Sequence, residues 1–274
     1  MYDMDETTGE QTTASYPKPH VLLTAAEAAR VPIEYGWTWV LDHVAPARGA
    51  AGRPVLVLPG FYATDGLTAL LRTHLKSHGY QVHGWGMGRN IGLTSRILNG
   101  VLARLDELYA RYDEPVSIVG WSFGGILARW LAHERPDQVR QVICLGSPWR
   151  PEGEASRATA MFRRSAGKFG IVENAREVME TVRRPLPVPC TAIYSRTDGI
   201  TSWRSCRLDD GARCENIAVP SSHVGLVSNP LALAAIVDRL AQDPSDIAPF
   251  SWPAALGRSV RARRLGRPSL ARAS

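Results

Sequence analysis

The sequence predicts an α/β chain whose mainly parallel sheet is doubly wound, with helices on both faces. Val55-Leu56-Val57-Leu58 is a short unbroken apolar run, the pattern of a strand buried on both faces rather than half-exposed. Runs of this kind alternate with segments whose apolar residues recur at helical spacing, the order that a crossover-connected parallel sheet produces. Between two of them lies a corner, Gly120-Trp121-Ser122-Phe123-Gly124, with a β-branched run before it and a helical stripe behind it.

Taken in order, residues 1–52 read as an N-terminal lead, 53–243 as the α/β domain, and 244–274 as a C-terminal extension ending in a basic, disordered tail. Within the lead, residues 21–30 are predicted as a short helix, capped by Thr24 with Glu27 completing a capping box. Residues 46–53 read as a surface turn. After the 55–58 strand, Asp65 precedes Leu67, Leu70, Leu71, His74 and Leu75, a helical stripe closed by Gly79. Residues 80–85 are a second strand, and 94–112 a helix with Ile97, Val101, Leu105 and Leu108 on its inner face. The strand at 115–119 leads into the corner, and Ile126, Leu127, Trp130 and Leu131 mark the helix behind it. Residues 139–145 form another strand. Residues 150–186 then break the rhythm with two arginine-rich helices. An insertion at the C-terminal edge of a parallel sheet overlies the ligand crevice, which makes this segment a candidate lid; a helical excursion without that role is the alternative. Strands follow at 191–195 and 216–219, and Asn229 with Pro230 opens a helix that buries Leu233, Ile236, Val237 and Leu240.

The formal charge of +6 suggests an anionic partner until its location is considered. From Arg258 onward the tail carries six arginines and no acid, so the rest of the chain is formally neutral. A nucleic-acid face is therefore not expected, and the tail accounts for no more than weak attraction to anionic surfaces. No apolar run approaches the roughly 18 residues of a membrane span. Met1 to Gln11 is acidic and polar, without a basic or apolar signal region, so a cytoplasmic location is the expectation. The four cysteines form no C-x-x-C pair and no cluster with histidine, which disfavours a metal site. Cys144 and Cys190 read as core residues, whereas Cys206 and Cys214 flank the Asp209-Asp210-Gly211 turn and are candidates for a disulfide.

The corner carries the chemistry. A serine between strand and helix is held in a strained conformation that lifts its hydroxyl clear of the sheet, and close packing there demands glycine two residues either side. Asp198 and His223 each follow a predicted strand, as Ser122 does, so all three share one sheet edge. Ser122 would be the nucleophile, His223 its base, and Asp198 the group that orients the imidazole. Asp209 and Asp210 compete for the acid role, but they sit in a turn between strands. Two backbone N–H groups must face the developing oxyanion. Phe123, directly after the nucleophile, is one; Pro59 has no N–H, so Phe61 is the expected other. Tyr62, Trp121, Trp149 and Trp203 are candidates for an apolar substrate pocket or for ordinary packing.

With these residues placed, the chain resembles the α/β-hydrolase superfamily, and within it small bacterial esterases and lipases and their GPI inositol-deacylase-like relatives. The resemblance covers roughly residues 53–243 and rests on Leu58-Pro59-Gly60-Phe61, Gly120-Trp121-Ser122-Phe123-Gly124-Gly125, Leu145-Gly146-Ser147-Pro148, Tyr194-Ser195-Arg196-Thr197-Asp198-Gly199 and Ser222-His223-Val224-Gly225-Leu226. Many members carry His-Gly where this chain has Pro59-Gly60, and histidine where it has Trp121. The resemblance implies cofactor-free hydrolysis of a small-molecule carboxylic ester with an apolar acyl group, through a serine acyl-enzyme. An acyltransferase using the same triad and a non-catalytic binding protein are the alternatives. Dehalogenase chemistry is disfavoured because it needs aspartate at the corner.

Overall fold

In a computed structural model, residues 18–42, 52–149, 164–165, 167–209, 211, 213–253 and 255 are described. Their strands are β1 (Pro54–Leu58), β2 (Gln81–Gly84), β3 (Val116–Trp121), β4 (Val139–Leu145), β5 (Cys190–Tyr194) and β6 (Cys214–Ala218). They form a sheet in the order β2-β1-β3-β4-β5-β6, and every neighbouring pair is parallel. Chain order reverses between β1 and β3, which opens a crevice beyond their carboxyl ends, the place where such sheets take ligands. Ser122 and the 59–61 loop both lie at those ends.

The helices are α1 (Val21–Asp42), α2 (Ala69–Ser77), α3 (Ser95–Tyr112), α4 (Phe123–Glu134), α5 (Ala175–Arg183), α6 (Trp203–Cys206) and α7 (Pro230–Ala241). Successive side chains of a strand point to opposite faces, and here they feed two separate cores. Leu56, Leu58, Ile118 and Val142 pack with α3, α4 and α5. Val55, Val57, Val119, Ile143 and Ile193 pack with Leu71 and Leu75 of α2 and Leu233, Ile236 and Leu240 of α7. Helices therefore cover both faces, and the doubly wound α/β architecture is observed. Local signals start the helices: Thr94 Oγ1 accepts from Ile97 N at 3.3 Å, and Asn229 Oδ1 accepts from Leu231 N at 2.9 Å.

Some expectations need correction. α1 begins before Thr24 and continues through Pro32 to Asp42. His20 starts it, since its carbonyl accepts from Leu23 N and its Nδ1 from Leu22 N, so Thr24 is not a cap and no capping box forms. Leu67 is exposed instead of joining the α2 stripe. Asp65–Thr68 is a 3-10 turn, and its tighter winding rotates Leu67 off the inner face. The Asp65 carboxylate accepts from Trp85 N and Gly86 N, tying that turn to the end of β2. Cys206 and Cys214 are free thiols, so the disulfide does not form. The Cys206 Sγ sits instead 3.4 Å from the Ser202 carbonyl, one turn back along α6.

In the candidate lid, residues 150–163 and 166 lie outside the described residues, as do residues 1–17 of the lead, the 46–51 turn and the tail from 256. Residues 164–165 and 167–169 are helical. α5 is part of the core: Val178 and Val182 are buried, and the buried Arg129 of α4 donates to the carbonyls of Val182 and Arg184. Ahead of the tail, Arg239 donates to the Ala248 carbonyl, holding the extension against α7. Among the described residues no helix is long and apolar enough to cross a membrane.

Leu105 is fully buried between α3 and the sheet. Leu105→Ala is expected to cost about 2–5 kcal/mol, read as a lower midpoint in urea unfolding with an unchanged slope.

Candidate active site

Ser122 joins β3 directly to α4 with φ 53° and ψ −120°. A non-glycine residue there is strained, and the surroundings impose it. Ser122 N donates to the Leu145 carbonyl at 2.8 Å, and Gly125 N donates to the Ser122 carbonyl at 3.0 Å. A Cβ on Gly120 would run into the Gly124 carbonyl and Gly125 Cα, and one on Gly124 into the Leu58 carbonyl. Strand, helix and the end of β1 thus meet backbone to backbone, and the serine is the half-buried residue at the apex.

Beyond β5 and β6, Asp198 and His223 are both buried. His223 Nδ1 lies 2.6 Å from Asp198 Oδ2. A carboxylate only accepts, so Nδ1 carries a proton, and in the neutral imidazole Nε2 keeps its lone pair. Asp198 is itself fixed: Oδ1 accepts from Ile200 N and Thr201 N at 2.7 Å each, and Oδ2 from Thr201 Oγ1 at 2.9 Å. Ser195 binds the two loops to each other, donating to the Ser221 carbonyl at 2.6 Å and accepting from Ser221 N at 3.1 Å. Trp121, the residue before Ser122, donates from Nε1 to the His223 carbonyl at 3.0 Å, with ring centroids 5.9 Å apart. Asp198 and His223 are therefore in direct contact, and Trp121 links His223 to the corner. Among the described residues no hydrogen bond joins the His223 ring to Ser122.

The loop after β1 is held equally firmly. Asn90, fully buried, donates from Nδ2 to the Pro59 carbonyl at 2.8 Å, and its own carbonyl accepts from Tyr62 N at 2.7 Å. Tyr62 adopts φ 60°, which curls the loop back toward the serine. A Cβ on Gly60 would sit 3.1 Å from Ser122 Cβ, and the rings of Phe61 and Phe123 lie 6.0 Å apart. Of the aromatic candidates, Tyr62 and Trp203 are half-buried; Trp203 stacks on Tyr194 and is flanked by the guanidinium groups of Arg196 and Arg204. Trp121 and Trp149 are buried, and Trp149 lies under Arg129 and donates to the Arg207 carbonyl.

Burial pushes the His223 imidazole toward its neutral form. The charge and hydrogen bond of Asp198, and then the charge of Glu27, outweigh it, so its pKa is raised above the ordinary value of about 6.5. Sequence reasoning missed Thr201, Asn90 and Glu27. Thr201 was accessible from the Asp198-Gly199-Ile200-Thr201 turn, where threonine three residues after aspartate can bond back to it. Glu27 stands alone among Ala25, Ala26, Ala28 and Ala29, small residues that permit close helix approach. Asn90 left no local signal.

No family model matches the chain. Curated relatives include the pimeloyl-[acyl-carrier protein] methyl ester esterase of Neisseria meningitidis, 32% identical over 109 aligned positions that take in 29% of this chain and 42% of the relative. The match thus spans under half the length of that relative. Among solved structures, Aspergillus fumigatus lipase B superposes with TM-score 0.55 at 22% identity, over 82% of this chain and 60% of the lipase. A lipolytic enzyme of the metagenome-derived pair LipS and LipT gives 0.53 at 18% identity, over 71% of this chain and 93% of its own. The Paleococcus ferrophilus monoacylglycerol lipase gives 0.50 at 16%, over 70% and 96%. At these identities the structural likeness is one of fold.

Asn90→Ala would leave the buried Pro59 carbonyl without its donor. A loss of about 1–3 kcal/mol in unfolding free energy is expected, with faster amide exchange at Tyr62.

Proposed function

We propose that this chain, which has the α/β-hydrolase fold, is a serine hydrolase that cleaves carboxylic esters. The observation that carries the reading is the 2.6 Å contact of His223 Nδ1 with a buried, fully hydrogen-bonded Asp198. In the neutral imidazole it leaves the Nε2 lone pair available for general-base work at the sheet edge that also carries the Ser122 corner. The names of the relatives, an esterase of an acyl-carrier-protein methyl ester and several lipases, agree with that chemistry.

Ser122 Oγ attacks the acyl carbonyl as its proton passes to His223 Nε2. The resulting oxyanion is held by the N–H groups of Phe61 and Phe123, and Asp198 stabilises the imidazolium. Collapse breaks the acyl–oxygen bond and the alcohol leaves with the proton from His223. Water then attacks the acyl-enzyme, again giving its proton to His223, and the acid departs with Ser122 restored. The reading requires the serine–histidine hydrogen bond to form in the substrate complex, where catalytic bonds commonly tighten. Tyr62 and Trp203, with surface still accessible, are assigned to the acyl group; buried Trp121 and Trp149 act as wall and support.

Ser122→Ala is expected to lower p-nitrophenyl ester turnover by roughly 10³-fold or more and to abolish labelling by a fluorophosphonate. Turnover or labelling at the wild-type level would overturn the reading. Because the working base is neutral His223 and its pKa is raised, kcat/KM is expected to fall on the acid side with a midpoint above about pH 6.5. By linkage the same shift stabilises the fold below the unfolded-state value, and that contribution is lost as pH rises through the folded-state value.

A further inference from the structure

We infer that Glu27 is a positioning residue for the base, holding the acid loop and the histidine loop in register through a single buried carboxylate. The inference rests on the serine-hydrolase reading above. Glu27 is only 6% exposed, though it belongs to α1, outside the sheet and its crossovers. Burying a carboxylate is costly unless it is bonded throughout, and the partners here are main-chain donors of the two functional loops. Oε1 accepts from Gly199 N at 2.8 Å, the residue directly after Asp198. Both oxygens accept from His223 N, at 3.0 and 2.9 Å, and Oε2 also accepts from Val224 N at 3.4 Å.

Other residues of α1 hold the helix on the acid loop independently of the carboxylate. Thr24 Oγ1 donates to the Gly199 carbonyl at 2.6 Å, and Arg30 donates to the Thr197 carbonyl at 2.8 Å and to its Oγ1 at 3.0 Å. A Cβ on Gly199 would strike the Leu23 carbonyl, so the helix lies directly on the acid loop. An amide cannot replace the carboxylate, because both oxygens accept and an NH2 group would face an N–H. The charge also counts, since Glu27 adds to the pull of Asp198 on the His223 proton. The other groups around this ring are Asp198 in the loop after β5 and the Cys206 thiol of α6, which reaches Thr201 Oγ1 at 3.7 Å; Arg30 lies on Thr197.

The test compares Glu27→Gln, Glu27→Asp and Arg30→Ala with wild type and with Ser122→Ala on the same ester. Glu27→Gln is expected to lower kcat by about 10- to 100-fold with little change in KM, the scale of a small misplacement of a reacting group. The acid limb of its pH profile is expected to move to lower pH. Glu27→Asp keeps the charge and should hold the acid limb at the wild-type position with an intermediate kcat. Arg30→Ala loosens the same helix without touching the carboxylate, and should lower the melting temperature but leave the acid limb in place. Wild-type kcat and acid limb in Glu27→Gln, or equal displacement of the limb in Arg30→Ala, would overturn the inference. If Glu27→Gln does not fold, wild-type kcat in Glu27→Asp would do so. Wild type that fails to turn over esters in a Ser122-dependent way would instead overturn the hydrolase reading, so the two failures are distinct.

Discussion

The site depends on one backbone constraint, a serine held at positive φ between a central strand and the helix that follows it. Such a conformation costs about 1–3 kcal/mol and persists only where its surroundings over-determine it. Here they do: the Ser122 amide is taken by Leu145 of the neighbouring strand, and Gly120 and Gly124 leave no room for a side chain between strand, helix and the end of β1. The same crowding brings the 59–61 loop against Ser122, because the backbones cannot separate.

The parallel sheet does the remaining long-range work. β1, β3, β5 and β6 all point the same way, so their carboxyl ends deliver Phe61, Ser122, Asp198 and His223 to one rim from positions far apart in sequence. Loops at a rim are ordinarily the mobile part of such a domain. In this chain they are bonded to one another: Ser195 to Ser221, Trp121 to the His223 carbonyl, Asn90 to the Pro59 carbonyl. A buried Asp–His pair is weak evidence for stability, because desolvation offsets most of its attraction. Its value lies in fixing a tautomer at a defined place.

The fold was legible because its signals are local and periodic. Ile97, Val101, Leu105 and Leu108 are all fully buried on α3, and the 139–145 strand has the expected bounds, since both segments carry their period without interruption. The places of Asp198 and His223 after strands were legible, although the sequence alone could not show the two in contact. What escaped was set by geometry that no local pattern encodes. Thr24-Ala25-Ala26-Glu27 satisfies a capping box on paper, but His20 had already started the helix, which left Glu27 a full turn inside it and free to point at residues far along the chain. Leu67 followed the α-helical stripe in sequence and lost it to a 3-10 turn. Cys206 and Cys214 looked bridgeable across a short turn, yet one ends α6 and the other begins β6.

The electrostatics of His223 set opposing demands on one ring. A serine alcohol gives up its proton more readily to a stronger base, which favours a high imidazole pKa; a base that is already protonated at the working pH does nothing. Burial lowers the pKa, and Asp198 and Glu27 raise it, so the net upward shift is a difference between opposed contributions. The main-chain donors of Gly199, Ile200, Thr201, His223 and Val224 hold the two carboxylates that act on this ring.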